Sequence, residues 1–339
     1  MKKHFLSLPL LAVLALFACG GDPSSENGSE TNSQGASGQI VELIADPKFE
    51  HGINVTAADR SFKDGTIPEN RWTLDSRLSY NGNDNDRYAW TMRQAGDIYG
   101  LGDVYNPTTD AKPVEENGTF IFTDPSKSAQ INPTAGTFRY ELNASKEYEE
   151  PRKSMEGWCH FLLEEGLNET IQISEIDELT LSVDATLDKL ENHMTEEEYN
   201  PDLHTCQFLI YFICNSAASL DAGEYLWFGV PIFDYRYKVM EEYGNVDAGT
   251  AGNTGKFIYS MSTESYLPNG IEVGVKNSIC VDMKEAIGHG LVLARQNGKL
   301  QNTNINDLSI GYMNMGYEIP GTFDSAMTIG NLSLKAKMK

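Results

Sequence analysis

Four carboxylates in this chain stand next to aromatic rings: Glu224 before Tyr225, Asp234 between Phe233 and Tyr235, Glu318 after Tyr317, and Asp324 after Phe323. A carboxyl group in apolar surroundings keeps its proton to higher pH and can serve as a general acid near neutrality. Cleaving a glycosidic bond takes two such groups facing one bond, ~5 to 5.5 Å apart for retention of configuration and ~6.5 to 9.5 Å apart for inversion. Sequence alone does not supply that distance. His204, just before a continuous apolar run, and His160, just after Trp158-Cys159, are single imidazoles suited to general-base work. For each of these residues a strand-end or turn role is the plain alternative. No H-x-H, H-E-x-x-H or C-x-x-C spacing occurs, which removes the common zinc signatures.

Ligand-binding chemistry is concentrated elsewhere. Asp234 and Arg236 lie two apart on one strand, so they share a face beside Trp227, Phe233 and Tyr237. Such a pair could grip hydroxyl groups while Tyr237 stacks on an apolar ring face. Equally, the two could be an ion pair closing the strand. Trp72 in RWTLDSR and Trp90 in RYAWTMR have polar neighbours and are expected to be stacking platforms at the surface, whereas Trp227 sits between Leu226 and Phe228 and is expected to be buried. Asn83, Asp84 and Asp86, within Asn81 to Asp86, offer oxygen ligands that calcium would accept, although Asn-Gly followed by Asn-Asp is also good turn chemistry. No other cofactor is expected.

Short runs of alternating β-branched, aromatic and polar residues, separated by turn residues, must position these groups. The clearest spans Glu178 to Leu187, where Leu179, Leu181, Val183, Ala185 and Leu187 take one face. Further strands are expected at 118–123, 136–142, 257–262, 271–276, 308–313 and 326–334. Gln207 to Cys214 and Tyr225 to Phe233 are continuously apolar, which predicts central strands covered on both faces. One helix is expected from Met283 to about Gln296, with Asp282 as N-cap, Glu285 as its box-like partner and Gly298 past its end. Gly288 and Gly290 inside that helix cost roughly 1 kcal/mol each relative to Ala, so it must depend on packing. The expected fold is all-β: a jelly-roll sandwich with long loops and one short helix packed on it.

Residues 1–18 combine Lys2 and Lys3 with an apolar run too short to span a bilayer, and end at Leu16-Phe17-Ala18-Cys19. This is the pattern of a lipoprotein signal peptide, with Cys19 the acylated first mature residue. From Gly20 to Gly38 there are five Gly, five Ser, three acidic residues, no aromatic side chain and no aliphatic one beyond Ala36 and Pro23. With Cys19 this forms a tether, 19–38, with a reach of roughly 25 Å. Residues 39–339 are then expected to be a single domain, large enough to bury its own core. The formal charge of −23 argues against nucleic acid or anionic lipid as partners, leaving the acyl group of Cys19 as the membrane contact. Cys206 and Cys214, eight apart in one strand, would lie ~26 Å apart and cannot pair. An even number of downstream cysteines leaves other disulfides open.

The lipobox at Leu16 to Cys19, the acidic tether, and the segments WFGVPIFDYRY (227–237) and YEIPGTFDSAMTIGNLSL (317–334) resemble Bacteroidota surface lipoproteins with concanavalin-A-like jelly-roll domains that handle polysaccharides. The resemblance implies an exported protein anchored at the cell envelope, at the outer membrane, with a glycan as partner. Binding through an aromatic-lined face of the sandwich is the expected activity. A glycoside hydrolase or polysaccharide lyase on the same scaffold is the alternative, and a structural or adhesive role comes third.

Overall fold

The structure is a computed structural model that describes residues 38–56, 58, 74–80, 90–94, 96–106, 108–154, 156–248 and 254–339. Residues 1–37, which hold the signal sequence, Cys19 and most of the tether, lie outside the described residues, as do Trp72, Asn83, Asp84 and Asp86.

Two sheets pack face to face. The first has eight strands in the order β15 (Lys276–Asp282), β10 (Ile176–Asn192), β17 (Phe323–Met338), β8 (Thr137–Asn143), β7 (Lys127–Asn132), β6 (Thr119–Thr123) and β5 (Val114–Glu116), with β1 (Ile40–Glu42) paired to the far end of β17. The second has nine, in the order β13 (Tyr243–Val246), β14 (Phe257–Ser260), β12 (Tyr225–Asp234), β11 (Gln207–Ser216), β16 (Leu308–Ile319), β9 (Cys159–Gln172), β4 (Thr91–Arg93), β2 (Ile53–Thr56) and β3 (Leu74–Leu78). All pairings are antiparallel except β12 with β14 and β2 with β4. This is the expected all-β sandwich.

The period-2 pattern of β10 works as expected: Leu179, Leu181, Val183, Ala185 and Leu187 enter the core between the sheets. The two apolar strands β11 and β12 pair with each other near the middle of the nine-stranded sheet, and every residue from Gln207 to Cys214 and from Tyr225 to Asp234 is buried. One side faces the shared core. The other carries a second cluster of Leu162, Leu209, Tyr211, Ile213, Tyr225, Trp227 and Ile258. A sheet buried on both faces must cover its outer side with side chains, and here many are aromatic.

Residues 271–276 do not form the expected strand. Pairing with β10 begins only at Lys276, and Val273 and Val275 are exposed in the turns before it. Alternation in that stretch is real, but a turn at Val273–Gly274 interrupts it, and the Gly274 N–H bonds to the Leu187 carbonyl of β10 at 2.7 Å without continuing the ladder. A four-residue helix, α1 (Leu101–Val104), was not anticipated.

The expected helix forms as α2 (Lys284–Gln296). Its N-cap position is Met283, not Asp282, and no side chain caps it. Asp282 instead accepts the backbone N–H of Lys284 and of Leu179, both at 3.0 Å, and so ties the helix start to β10. At the other end Gly298 has φ +78°, and the Lys299 N–H bonds to the Ala294 carbonyl at 2.9 Å, a Schellman-type stop. The two internal glycines differ. A Cβ on Gly290 would lie 2.8 Å from the Tyr259 ring and 3.2 Å from Leu226, whereas one on Gly288 would meet nothing within 4 Å. Gly290 lets the helix approach the sheet closely.

Candidate active site

Register across the nine-stranded sheet determines which side chains share its outer face, because directly paired residues point to the same side. One row runs Asp234, Gln207, Glu318, His160 across β12, β11, β16 and β9. Another runs Ser260, Gly229, Tyr211, Asn314, Glu164 and Thr91 across β14, β12, β11, β16, β9 and β4. Trp227, Ile213 and Tyr312 occupy the row beyond. Glu318 therefore faces the same side of the sheet as Glu164, with Tyr211, Trp227 and Tyr312 forming the aromatic floor.

Glu318 is only 2 % exposed. Burial drives its pKa up to about 8, the nearby charge of Asp247 adds to the rise, and the Gln207 amide and Trp158 indole oppose it. Gln207 Nε2 donates to Glu318 Oε2 at 3.2 Å, and His160 Nε2 lies 3.9 Å from the same oxygen. The Trp158 ring stacks beside His160 with centroids 6.0 Å apart. Burial thus favours the protonated form of Glu318 at neutral pH. The side-chain carbonyl of Gln207 and the side-chain N–H₂ of Asn314 have no hydrogen-bond partner among the described residues. A buried polar group left without a partner costs on the order of 1 to 3 kcal/mol, which a polar ligand would relieve.

Three glycines shape this face. Gly316 has φ +148°, and a Cβ there would sit 2.1 Å from the Phe161 carbonyl. Gly229 lets the Tyr211 ring and the Ser260 hydroxyl approach its backbone, where a Cβ would lie 2.7 and 2.5 Å from them. Gly166, at the Tyr312 end, is exposed and opens onto free space. Glu164 is paired with Arg93 and accepts the Tyr312 hydroxyl at 2.7 Å. Asp247, at the end of β13, accepts the Thr254 N–H and hydroxyl, both at 2.6 Å. Burial raises its pKa against those two bonds.

Beneath the start of β9 lies a buried ion cluster. Lys127 Nζ is 3.1 Å from Asp97 Oδ2, 3.1 Å from Glu147 Oε1 and 3.4 Å from Asp124 Oδ2, and it donates to the Tyr99 carbonyl at 2.6 Å. Asp97 Oδ1 in turn accepts the His160 N–H at 3.2 Å. Desolvation pushes Asp97 well above the usual carboxylate range, against the pull of Lys127. The cluster anchors the strand that brings His160 beside Glu318.

Several residues singled out from the sequence have structural roles. Trp90 is not a surface platform: it is fully buried in the main core, and its Nε1–H donates to the Asp46 carbonyl at 2.8 Å. Its neighbour Thr91 lies on the outer face of the sheet, paired with Glu164, while the indole lies in the core between the sheets. Asp234 and Arg236 form the bland alternative, an ion pair at 2.6 Å, and Asp234 Oδ1 also accepts the Thr205 hydroxyl at 2.7 Å. With its oxygens so engaged, Asp234 is not set up to move a proton. Tyr237 is exposed in the following turn, under the Arg236 guanidinium. Glu224 pairs with Lys256 at 2.8 Å beside Tyr225, ten residues from Asp234 and its row, and does not meet Glu318. His204 uses both ring nitrogens: Nδ1 accepts the Asn200 N–H at 3.0 Å, and Nε2 lies 2.9 Å from the Arg152 carbonyl. It is a loop brace.

Glu164, Gln207, Asn314, Tyr211 and Asp247 were not apparent from sequence. Their signal is the register between strands distant in the chain. A depression of about 530 Å³ lies elsewhere, lined by Gly96, Ile98, Tyr99, residues 145–153 and Glu156, and shares no residue with this face.

No family model matches the chain, and no curated protein matches it. Among solved structures it is similar to a family 12 xyloglucanase from Bacillus licheniformis, with a TM-score of 0.39, 12% identity, and coverage of 68% of this chain and 98% of that one. It is similar also to endoglucanase Cel12A from Rhodothermus marinus, at 0.36, 9%, 68% and 96%. A family 11 xylanase from Neocallimastix patriciarum gives 0.34, 11%, 66% and 94%.

Proposed function

We propose that this chain acts on glycans through the outer face of its nine-stranded sheet, hydrolysing glycosidic bonds with Glu318 as proton donor. The observation that supports this is a buried Glu318, its protonated form favoured, on a face that also presents Tyr211, Trp227 and Tyr312 and the unpartnered amide atoms of Gln207 and Asn314. Aromatic rings and unsatisfied amides suit a ligand with apolar ring faces and many hydroxyls. Asp247 is the candidate for the second carboxyl, its charge being one of the influences that raise Glu318. Glu164, held by Arg93 and Tyr312, anchors the ligand.

The test is an assay of the purified chain against neutral, plant, algal and host polysaccharides, reading released reducing ends alongside migration in polysaccharide-containing native gels. Glu318→Gln and Asp247→Asn are expected to cut turnover at least 100-fold, the scale of a lost acid or base, while gel retardation persists. Glu164→Gln is expected to weaken retardation. The near-complete burial of Glu318 favours a second reading, glycan binding without cleavage. Retardation of the unaltered chain with no polymer loss would select it, and no interaction with any glycan would overturn both. From the sequence of residues 1–38 we further propose export and anchoring at the envelope through acylated Cys19. Labelling with a fatty-acid analogue, lost in Cys19→Ala, tests it.

A further inference from the structure

Strands β10 and β17 run antiparallel through the eight-stranded sheet, and their paired ends set Glu191 directly opposite Asp324. Just past β10 the His193 N–H bonds to the Thr322 carbonyl at 3.0 Å, which pins the chain beside both carboxylates. His193 Nε2 then lies 3.1 Å from Asp324 Oδ2 and 3.8 Å from Glu191 Oε2, and one ligand atom from each of the three residues falls within 4.8 Å of the other two.

We propose that Glu191, His193 and Asp324 bind a divalent transition ion of the zinc class and leave a further coordination position open. Around a tetrahedral zinc with bonds of ~2.0 Å the ligand atoms stand roughly 3.3 Å apart, close to the two separations His193 makes. One imidazole with two carboxylates is a donor set for zinc or its neighbours, whereas calcium prefers six to eight oxygens. Asp324 is oriented from behind, because its Oδ1 accepts the Ser145 N–H at 3.2 Å and leaves Oδ2 to face the imidazole. Asp324 is nearly buried while Glu191 and His193 are exposed, so the pocket has a fixed floor and an entrance from solvent. The same oxygens already draw a cation. Lys189 Nζ lies 3.4 Å from Glu191 Oε2 and 3.7 Å from Asp324 Oδ2 while donating to Asn143 Oδ1 at 3.0 Å, so an arriving ion displaces it onto Asn143. None of these residues belongs to the face that carries Glu318.

Isothermal titration of the full chain with zinc chloride, in chelator-free buffer at pH 7.5, tests this. Cys280, the exposed thiol among the described residues, and Cys19 are replaced by Ser to remove competing soft ligands. One equivalent is expected to bind, with His193→Ala and Glu191→Gln each weakening it at least tenfold and Lys189→Met tightening it severalfold. Both His193 and Glu191 are exposed, so neither variant should perturb folding, which near-ultraviolet circular dichroism checks. Cobalt in place of zinc should give the visible bands of a low-coordination site, absent in His193→Ala. The proposal is overturned by no saturable zinc binding, by binding that survives His193→Ala unchanged, or by equal competition from millimolar calcium.

Discussion

At the level of single residues, burial raises the pKa of several carboxylic acids. Glu318 and Glu165 are both pushed to about 8, in each case chiefly by burial. Asp46, Asp97 and Asp247 move in the same direction for the same leading reason. For Glu318 and Glu165 the folded-state values lie above the unfolded ones, so at these two groups the native protein holds protons that the unfolded chain releases between about pH 4.5 and 8. Stability should therefore be highest on the acid side of that window and fall as pH rises through it, by about 1.4 kcal/mol per pH unit for each group. Denaturant titrations from pH 5 to 8 should reveal the slope, and Glu165→Gln, which removes the ionisable group with almost no change of shape, should flatten it. A slope of opposite sign would contradict this account of burial. If Glu318 donates the proton, turnover should have an alkaline limb near pH 8 that follows the same ionisation. Lys127 presents the converse case. Replacing it with Met leaves Asp97, Asp124 and Glu147 without their ammonium and should lower unfolding stability by about 3 to 5 kcal/mol, measured by urea denaturation.

Among the elements, α2 separates propensity from packing. Helix propensity alone treats Gly288 and Gly290 alike, since each has the conformational freedom that disfavours a helix. Their surroundings do not. Gly288→Ala should stabilise the protein by roughly 1 kcal/mol, because the added methyl group meets open space and restricts the unfolded chain. Gly290→Ala should destabilise it by about 1 to 3 kcal/mol, because the methyl group drives into Tyr259 and Leu226. Thermal melts of the two variants under one condition decide the matter, and shifts of the same sign would contradict this packing. Strand patterns were legible where a face is half buried, as in β10, or continuously apolar, as in β11 and β12. They misled at 271–276, where a turn interrupts the alternation and the ladder with β10 begins only at Lys276, because pairing is a property of two segments and only one is visible locally.

For the molecule as a whole, the fold leaves the cysteines of the described residues unpaired: Cys159, Cys206, Cys214 and Cys280 are all free, and of these four only Cys280 is exposed. Burial raises the pKa of the first three, which further suppresses thiolate formation. A thiol-specific reagent should therefore modify one of these four in the native protein and all four after denaturation, as read by peptide mass spectrometry, and a reductant should leave the melting temperature unchanged. Rapid native labelling of Cys206 or Cys214 would mean that the central strands open.

Composition and periodicity alone determined that this is an acidic β-sandwich, that β11 and β12 lie inside it, that a helix follows residue 282, and that Glu318 is a carboxylate worth watching. These follow from local chemistry: alternation, apolar runs, caps and neighbouring rings are written in consecutive residues. Only the tertiary structure decided that Trp90 is core, that Asp234 is engaged by Arg236 and Thr205, and that Glu318 shares a face with Glu164, Gln207, Asn314 and Tyr211. That face comes from strands far apart in the chain, and the register of β9, β11 and β16 depends on how two sheets close over one core. Glu191, His193 and Asp324 meet for the same reason, across a pairing between residues more than a hundred positions apart in the sequence.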